Sequence, residues 1–343
     1  MSRQEDVAMI VRDPQWFAHR YDAPNDAVQF LKMSREDHRA APFLRDEFIP
    51  SSKDPLPLGR AESMEALDGQ APMHFIFHSA YCCSTLLARA FDAPGHAMGL
   101  KEPLILNDMV GWNLRGADRR QLVAVLDNSL RLLSRPFGTG EAVVVKPSNI
   151  ANGFIGAIMG LQPRAKALFL HAPLKTYLAS IAKKGIEGRL WVRIILLNLV
   201  KENRIDLGFK QEQYLEHTDL QCAAIGWLAQ HAEFHRYAQQ FGPARIRTLD
   251  SEALLSDPLA SMRALDGLFE TGMNEAELKA VVAGPAFAEN SKSGERYGAR
   301  ERDAEREAAL ITHAKELEWV EGWAHRVADA NAIPMTLPNP LLR

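Results

Sequence analysis

The stretch MHFIFHSAYCCSTLLARAF, residues 73–91, decides the fold. Its first five residues, Met73–Phe77, form an apolar run that is long enough for a buried strand but too short for a helix. The small-residue turn HSAYCCS follows, and the leucine and alanine spacing of TLLARAF is typical of a helix. In such a unit the backbone N–H groups of the turn and of the helix start point at one spot and attract a phosphate. The segment therefore predicts an anion-binding turn, with a plain strand-to-helix connection as the alternative.

Further short apolar runs alternate with amphipathic stretches along the chain. The runs predict buried strands at Ala97–Leu100, Ala142–Val145, Ala167–Leu170 and Arg245–Leu249. The amphipathic stretches predict helices at 119–133, 149–161, 175–183, 189–203 and 220–240. Strands that alternate with helices favour a sheet covered on both faces. We therefore predict a three-layer α/β fold with a central, mostly parallel sheet flanked by helices.

The two ends of the chain differ from this pattern. Residues 1–70 combine short helical patterns with proline-containing breaks, and we predict a helical cover that packs on a main domain of residues 71–343. Residues 288–307 are rich in charge, which predicts an exposed loop that enters a solvated helix inside that domain.

The composition excludes several classes of protein. The chain has 343 residues, 47% of them hydrophobic and 24% charged, which is an ordinary globular composition. Its formal net charge of −3 implies no bulk attraction to nucleic acid or to an anionic membrane. The three cysteines have no metal-ligand spacing, the first residues do not resemble a signal peptide, and the most apolar run, Leu190–Val200, is too short to span a bilayer. These features predict a cytoplasmic protein, and the sequence predicts no oligomeric state.

The turn after Phe77 does not match the Walker A pattern. That pattern requires Gly-x-x-x-x-Gly-Lys-Ser/Thr, whereas here Cys83 precedes Ser84 and the turn contains neither glycine nor lysine. This difference argues against an ordinary ATPase or kinase.

The same segment resembles the phosphosulfate-binding loop of sulfotransferases. In that family the loop usually reads Pro-Arg/Lys-Ser-Gly-Ser/Thr-Thr-Leu-Leu after the first strand, and the residues from Ser84 to Leu87 match its end. Cys82 or Cys83 stands in place of the glycine, and Tyr81 stands near the usual basic residue. The resemblance implies that the phosphosulfate group lies on Ser79, Ala80, Tyr81, Cys82, Cys83, Ser84 and Thr85.

Three downstream segments follow in the order of the family. LKEP at 100–103 resembles the segment where several carbohydrate and tyrosine sulfotransferases carry a catalytic glutamate, and VVVKPSN at 143–149 resembles their Lys-Ser/Thr-Pro segment. Residues 245–269 resemble their strand, acidic-Leu, Asp-Pro and helix stretch. The resemblance covers about residues 73–270. It implies a P-loop-type fold, 3′-phosphoadenylyl sulfate as co-substrate, no metal, and a small-molecule, glycan or peptide acceptor.

The second nucleotide motif of the family is only partly present. It is a strand that ends in Arg-Asp/Asn-Pro with a serine further on, and this chain has LFLHAPLKTYLASIAKKG. Ser180 matches the serine, but the arginine position falls on His171 or Ala172. Lys183, Lys184 and Arg189 are the predicted substitutes for the positive charge at the 3′-phosphate. In NSKSGERYG, residues 290–298, Lys292 is a further candidate, with a charged surface turn as the alternative.

The chemistry implied by the resemblance needs few groups. Sulfuryl transfer, like phosphoryl transfer, depends on positioning and on charge stabilisation along an in-line path. Glu102 is the candidate base for the acceptor, Lys146 is the candidate cation at the bridging oxygen, and His78 could serve in either role. Ordinary loop or core roles remain the alternative for each of these residues. A non-catalytic adenine-nucleotide-binding relic of the fold and a P-loop kinase or NTPase remain the alternatives for the chain.

Overall fold

The computed structural model describes residues 3–50, 53–289 and 299–342. Its strands are, in chain order, β1 Trp16–Asp22, β2 Ala27–Lys32, β3 Leu56–Gly59, β4 Met73–His78, β5 Ala97–Lys101, β6 Ala142–Lys146, β7 Ala167–His171 and β8 Ile246–Asp250. Its helices are α1 Arg3–Arg12, α2 Arg35–Ala40, α3 Arg60–Ala66, α4 Ser84–Ala90, α5 Leu104–Leu114, α6 Arg119–Leu133, α7 Ile155–Leu161, α8 Leu174–Lys183, α9 Gly185–Lys201, α10 Gln211–Glu216, α11 Asp219–Phe241, α12 Ser251–Ser256, α13 Pro258–Phe269, α14 Glu275–Ala283, α15 Pro285–Ala288, α16 Ala299–Thr312 and α17 Ala314–Ala330. Short 3₁₀ segments occupy Asp46–Phe48 and Asn149–Phe154.

The main sheet has five strands in the order β5-β6-β4-β7-β8. β4 and β5 both pair in parallel with β6. The N–H of Phe75 donates to Lys166 and the N–H of Ser79 donates to Leu170; the constant offset of these bonds shows that β4 and β7 are parallel too. All residues of β4, β5 and β6 are buried, as expected for strands covered by helices on both faces. The predicted fold class, an α/β fold with a parallel sheet flanked by helices, is confirmed.

The N-terminal segment differs from the helical cover predicted for residues 1–70. α1, α2 and α3 are helical, but β1, β2 and β3 form a separate antiparallel sheet in that order. β1 and β2 make a hairpin, and Asp26 at the end of its turn has a positive φ of 47°. The signal was the turn sequence DAPND between two runs rich in aromatic and branched residues, which favour strands over helices. The boundary between residues 70 and 71 stays a prediction.

The described chain forms two compact units. Unit 1 contains the described residues within 1–77, 85–167 and 265–294, and unit 2 those within 78–84, 168–264 and 295–343. In unit 1, α4 packs directly on β5, because a Cβ atom at Gly99 would lie only 2.2 Å from the carbonyl oxygen of Ala88. A glycine at this strand position therefore permits the close contact.

Unit 2 is organised around the long helix α11. A capping box at Thr218 starts this helix, and Gly242, with a φ of 72°, ends it. Most of its length is buried, in contact with α8, α9 and α17. The indole Nε1 of Trp227 donates to the carbonyl oxygen of Ala172 at 2.9 Å, which fixes the chain just after β7.

Candidate functional site

The loop after β4 has an unusual backbone. Ala80, Tyr81 and Cys83 have φ values of 70°, 50° and 63°, so three residues with side chains adopt the left-handed conformation that favours glycine. Each such residue costs about 1–2 kcal/mol relative to the right-handed region. Backbone strain of this kind is concentrated at ligand-binding and catalytic sites in proteins. The loop therefore has a strained backbone that the surrounding structure must hold in place, unlike an ordinary strand-to-helix connection.

Hydrogen bonds within unit 2 hold the start of the loop. The N–H of Ser79 donates to the carbonyl oxygen of Leu170 at 3.1 Å, and its hydroxyl accepts from the N–H of Ala172 at 3.3 Å. The thiol of Cys82 lies 3.4 Å from the same Leu170 oxygen. The N–H of Ala80 donates to Nδ1 of His78 at 3.0 Å. Two amides of the predicted anion cradle are thus already in use, and the amides from Tyr81 onward are the ones left to consider for a ligand.

The bond from Ala80 also defines the state of His78. Because Nδ1 accepts a hydrogen bond, it carries no proton, and a neutral imidazole then has its proton on Nε2. In this state Nε2 donates and does not accept. In this tautomer Nε2 can donate a hydrogen bond to a negative charge, and the role of His78 stays a prediction.

Ser84 and Thr85 keep their hydroxyl groups available. Each residue is buried, with 5% of its surface exposed. Within the described residues, neither hydroxyl makes a side-chain hydrogen bond. Neither hydroxyl oxygen is among the buried side-chain atoms that lack a partner, so each oxygen keeps some accessible surface through which water or a ligand can bond to it. The ligand-binding role of both residues stays a prediction.

An aromatic cluster lies beside the loop in unit 2 and was not predicted. The ring of Tyr81 packs edge-on against Tyr177 and Trp191, with centroid distances of 6.1 and 5.5 Å. Burial raises the pKa of Tyr81, and the negative charge of Glu187 acts in the same direction. No residue spacing links positions 81, 177 and 191, so only the fold could reveal this cluster.

Arg302 is a second residue that sequence reasoning missed. Burial raises the pKa of the Cys83 thiol, and the positive charge of Arg302 opposes this shift. Arg302 belongs to α16, in the stretch that was predicted as a loop and a solvated helix. The charge of Arg302 therefore acts on Cys83 in the loop after β4. The strongly charged sequence around Arg302 does not indicate this interaction.

Glu102 and Lys146 form a buried ion pair in unit 1. Lys101 and Lys146 are register partners on β5 and β6, and the N–H of Glu102 donates to the Lys146 carbonyl oxygen at 2.7 Å. The ammonium of Lys146 bonds to Oε1 of Glu102. Lys146 is 1% exposed and Glu102 is 8% exposed. Glu102 also has a positive φ of 53°, so the chain leaves β5 through a strained residue that carries a functional group.

A short segment before the 3₁₀ turn completes the surroundings of this pair. Nη1 of Arg45 lies 3.7 Å from Oε2 of Glu102, and the ammonium of Lys146 lies 5.1 Å from the ring centroid of Phe43. Leu44 binds this segment to β5, because its N–H donates to the Lys101 carbonyl oxygen at 2.7 Å. Phe43 and Arg45 were not predicted, since PFLR has no signature in the sequence.

Four described residues predicted at the 3′-phosphate, His171, Ser180, Lys183 and Lys184, lie in unit 2, and the polar groups of two of them are occupied. The hydroxyl of Ser180 donates to the Thr176 carbonyl oxygen at 2.9 Å, and Lys183 forms an ion pair with Glu305. Lys184 is the residue that ends α8. His171 is half-buried, its pKa is lowered by burial, and its Nδ1 has no partner among the described residues. The predicted role of these residues stays a prediction, and Lys292 lies outside the described residues.

The described residues show neither a metal-binding cluster nor a membrane-spanning helix. Among the described residues, no group of three or more histidine, cysteine, aspartate or glutamate side chains is arranged to hold a metal ion. In the same part of the chain, no helix has both the length and the apolar character that a membrane span requires.

The solved structures similar to this chain include three sulfotransferases. The sulfotransferase domain of the olefin synthase from Synechococcus PCC 7002 has 11% identity and a TM-score of 0.38, over 66% of this chain and 81% of that one. Sulfotransferase STF9 from Mycobacterium avium has 13% identity and a TM-score of 0.43, over 73% and 77% of the two chains. The sulfotransferase domain of the curacin biosynthetic pathway has 12% identity and a TM-score of 0.43, over 79% and 100%.

These structures belong to the family that the motifs of the chain resemble. At such identities and TM-scores the similarity concerns the fold alone. No protein-family model matches the sequence, and no curated protein sequence matches it.

Proposed function

We propose that this chain is a sulfotransferase-like enzyme that transfers a sulfuryl group from 3′-phosphoadenylyl sulfate to a hydroxyl or amine acceptor. The observation that carries the proposal is the buried ion pair of Glu102 and Lys146 at the carboxyl ends of two adjacent parallel strands. Ligands of parallel α/β sheets collect at this edge. A buried ion pair is weak evidence for stability, because desolvation offsets most of its attraction, so a chemical role is the better reason for its presence.

In this proposal the acceptor gives its proton to the carboxylate of Glu102. The acceptor oxygen or nitrogen then forms a bond to sulfur while the bond from sulfur to the bridging phosphate oxygen breaks. Lys146 stabilises the negative charge that grows on that bridging oxygen. Adenosine 3′,5′-bisphosphate leaves, and the acceptor keeps the sulfuryl group. The ion pair keeps both groups in place before the substrates bind, since each is the partner of the other.

In this proposal the loop after β4 binds the sulfuryl donor, 3′-phosphoadenylyl sulfate. The hydroxyl groups of Ser84 and Thr85 and the amides from Tyr81 onward would bond to the phosphosulfate oxygens. His78 would add the Nε2–H bond that its tautomer provides. Ser180 and Lys184 remain the proposed contacts of the 3′-phosphate, and Lys183 would have to leave Glu305 to join them.

Thermal shift measurements test donor binding. A ligand that binds only the native state raises its apparent stability, by about 2.7 kcal/mol at a concentration of 100 times Kd. We expect stabilisation by adenosine 3′,5′-bisphosphate without metal. Stabilisation only by ATP with magnesium would instead support a P-loop kinase or NTPase.

Transfer from labelled donor to a library of hydroxyl and amine acceptors tests catalysis. Glu102→Gln should lower transfer by about 10²–10⁴-fold, because general bases contribute this much, while donor binding is retained. Glu65→Gln, at an exposed carboxylate of unit 1, is the matched control and should leave transfer unchanged. Tight donor binding with no transfer to any acceptor would identify a relic and refute the proposed reaction.

A further inference from the structure

Unit 1 contains a cavity that the proposed reaction does not use. Its volume is about 580 Å³, and its walls come from the end of α2, the end of α4, β5 and the pair α14 and α15. This volume lies within the range of about 300–1,000 Å³ that is typical of small-molecule sites.

Lys101 is the most deeply buried of the charged residues that line this cavity. It is 3% exposed, and its ammonium donates to the carbonyl oxygens of Arg39 at 3.1 Å and Ala41 at 2.5 Å. An ammonium has three donors, so one remains after these two bonds. In the described part of the chain, no carboxylate lies within ion-pair distance of Lys101. A buried cation without a counter-ion is costly, which points to an anion that belongs to this place.

His38 lines the same cavity and also lacks partners. It is 3% exposed, and its ring packs edge-on against Phe17 and Phe137. Neither ring nitrogen makes a hydrogen bond to any described residue. Burial, followed by the charge of Lys101, lowers the pKa of His38 to about 3, so the ring is neutral at pH 7 and has one N–H donor to offer.

The other charged residues of the wall are already compensated. Asp92 pairs with Arg39, Glu289 pairs with Arg89, and Glu277 lies 3.2 Å from His96. The remaining wall is largely apolar and includes Ala88, Met273, Val281 and Pro285. The cavity thus offers one ammonium without an ion-pair partner, which only the more distant charge of Asp92 offsets, together with one neutral donor and an apolar surface.

We propose that this cavity binds an organic monocarboxylate with an apolar body, whose carboxylate accepts hydrogen bonds from Lys101 and His38. A single negative charge matches the one ammonium that makes no ion pair, whereas a dianionic phosphate would bring a second charge without a partner. The apolar body lies against the alanine, methionine, valine and proline side chains of the wall. The site is separate from the Glu102–Lys146 pair and does not depend on the proposed function.

Binding of ¹³C-carboxyl-labelled octanoate to the full chain tests this proposal, with methyl octanoate as the neutral analogue of the same chain length. Charge-assisted hydrogen bonds are strong enough that octanoate should bind about 10–100-fold more tightly than the ester. Lys101→Met should lose this preference, and His38→Phe should weaken octanoate binding while retaining the ring packing. Lys315→Met, at an exposed lysine of unit 2, is the matched control and should bind octanoate as the parent does.

A third variant keeps the test decisive if Lys101→Met does not fold. Val281→Trp fills the cavity from a half-buried position and should abolish octanoate binding without changing the charge. No octanoate binding by the parent, equal binding of the ester, or undiminished binding by Val281→Trp would each overturn the proposal.

Discussion

Removing one partner of the Glu102–Lys146 pair should destabilise the protein strongly. Lys146→Met leaves the carboxylate of Glu102 buried, and breaking a buried ion pair in this way costs about 3–5 kcal/mol. Arg45, whose Nη1 is 3.7 Å from the other carboxylate oxygen, compensates part of the lost charge, so we expect the lower end, about 3 kcal/mol. This is roughly a 150-fold change in the folding equilibrium constant.

The second single variant has a similar expected cost. Glu102→Gln leaves the ammonium of Lys146 buried above the ring of Phe43. A desolvated cation–π contact is worth about 2 kcal/mol or more, so the ammonium keeps one favourable contact, which limits but does not cancel the loss. We therefore expect about 2–3 kcal/mol of destabilisation for this variant.

The double variant decides how the pair works. Without either charge, Lys146→Met with Glu102→Gln should be only about 1–2 kcal/mol less stable than the parent, which gives a coupling energy of about 4 kcal/mol. Urea unfolding of all four proteins, with the m-values compared, measures this quantity. Losses in the single variants that add to within about 0.5 kcal/mol would refute the interpretation of a coupled buried pair.

Transfer activity of the same four proteins separates chemistry from stability. If Glu102 is the base and Lys146 the stabilising cation, the double variant recovers its stability and remains inactive at 25 °C. A double variant that recovers both stability and transfer would show that the pair only holds the structure, and the catalytic roles would then be wrong.

Three further predictions follow from the backbone and from the buried titratable groups. At Cys83, whose φ is 63°, Cys83→Val should be about 1–2 kcal/mol less stable than Cys83→Gly, because a branched residue is strained there; chemical denaturation of both variants checks this. Burial lowers the pKa of Lys101 to about 8, so the unfolded state binds more protons than the folded state between pH 8 and 10.5. Across this range the free energy of unfolding of the parent should rise by about 2–3 kcal/mol relative to Lys101→Met, in unfolding measured against pH. The pKa of His38 is lowered to about 3, so between pH 6.5 and 4.5 this residue takes up a proton in the unfolded state only. Over this fall in pH the parent should lose about 2 kcal/mol of unfolding free energy relative to His38→Phe, in the same measurement.

The main sheet could be predicted from the sequence because its strands are buried on both faces. Such strands are continuous apolar runs, and the runs at 73–77, 97–100, 142–145 and 167–170 each lie inside an observed strand. The hairpin of β1 and β2 has no such run. Its buried positions come in groups of one to three that partly buried or exposed residues interrupt, and the polar residues among them hide the strand pattern.

The candidate site could be predicted only where it follows the ends of strands. Glu102 comes directly after the buried strand β5, and Lys146 is the last residue of the buried strand β6. Parallel pairing of the two strands then places these residues together. Arg45, Phe43 and Arg302 reach their positions through tertiary contacts between distant segments. Neither their spacing nor their residue type distinguishes them from other arginine and phenylalanine residues of the chain.

Backbone strain is concentrated in the loop after β4 and at Glu102, more than in the other loops of the described chain. Among the described residues, nine that are not glycine have a positive φ, and four of them are Ala80, Tyr81, Cys83 and Glu102. The others are scattered singly through turns and helix ends, where one left-handed residue is common. Three left-handed residues within four positions, with no glycine among them, together cost several kcal/mol at about 1–2 kcal/mol each. Folding alone gives no reason for such a cost, whereas a loop whose amides must be aimed at a ligand does.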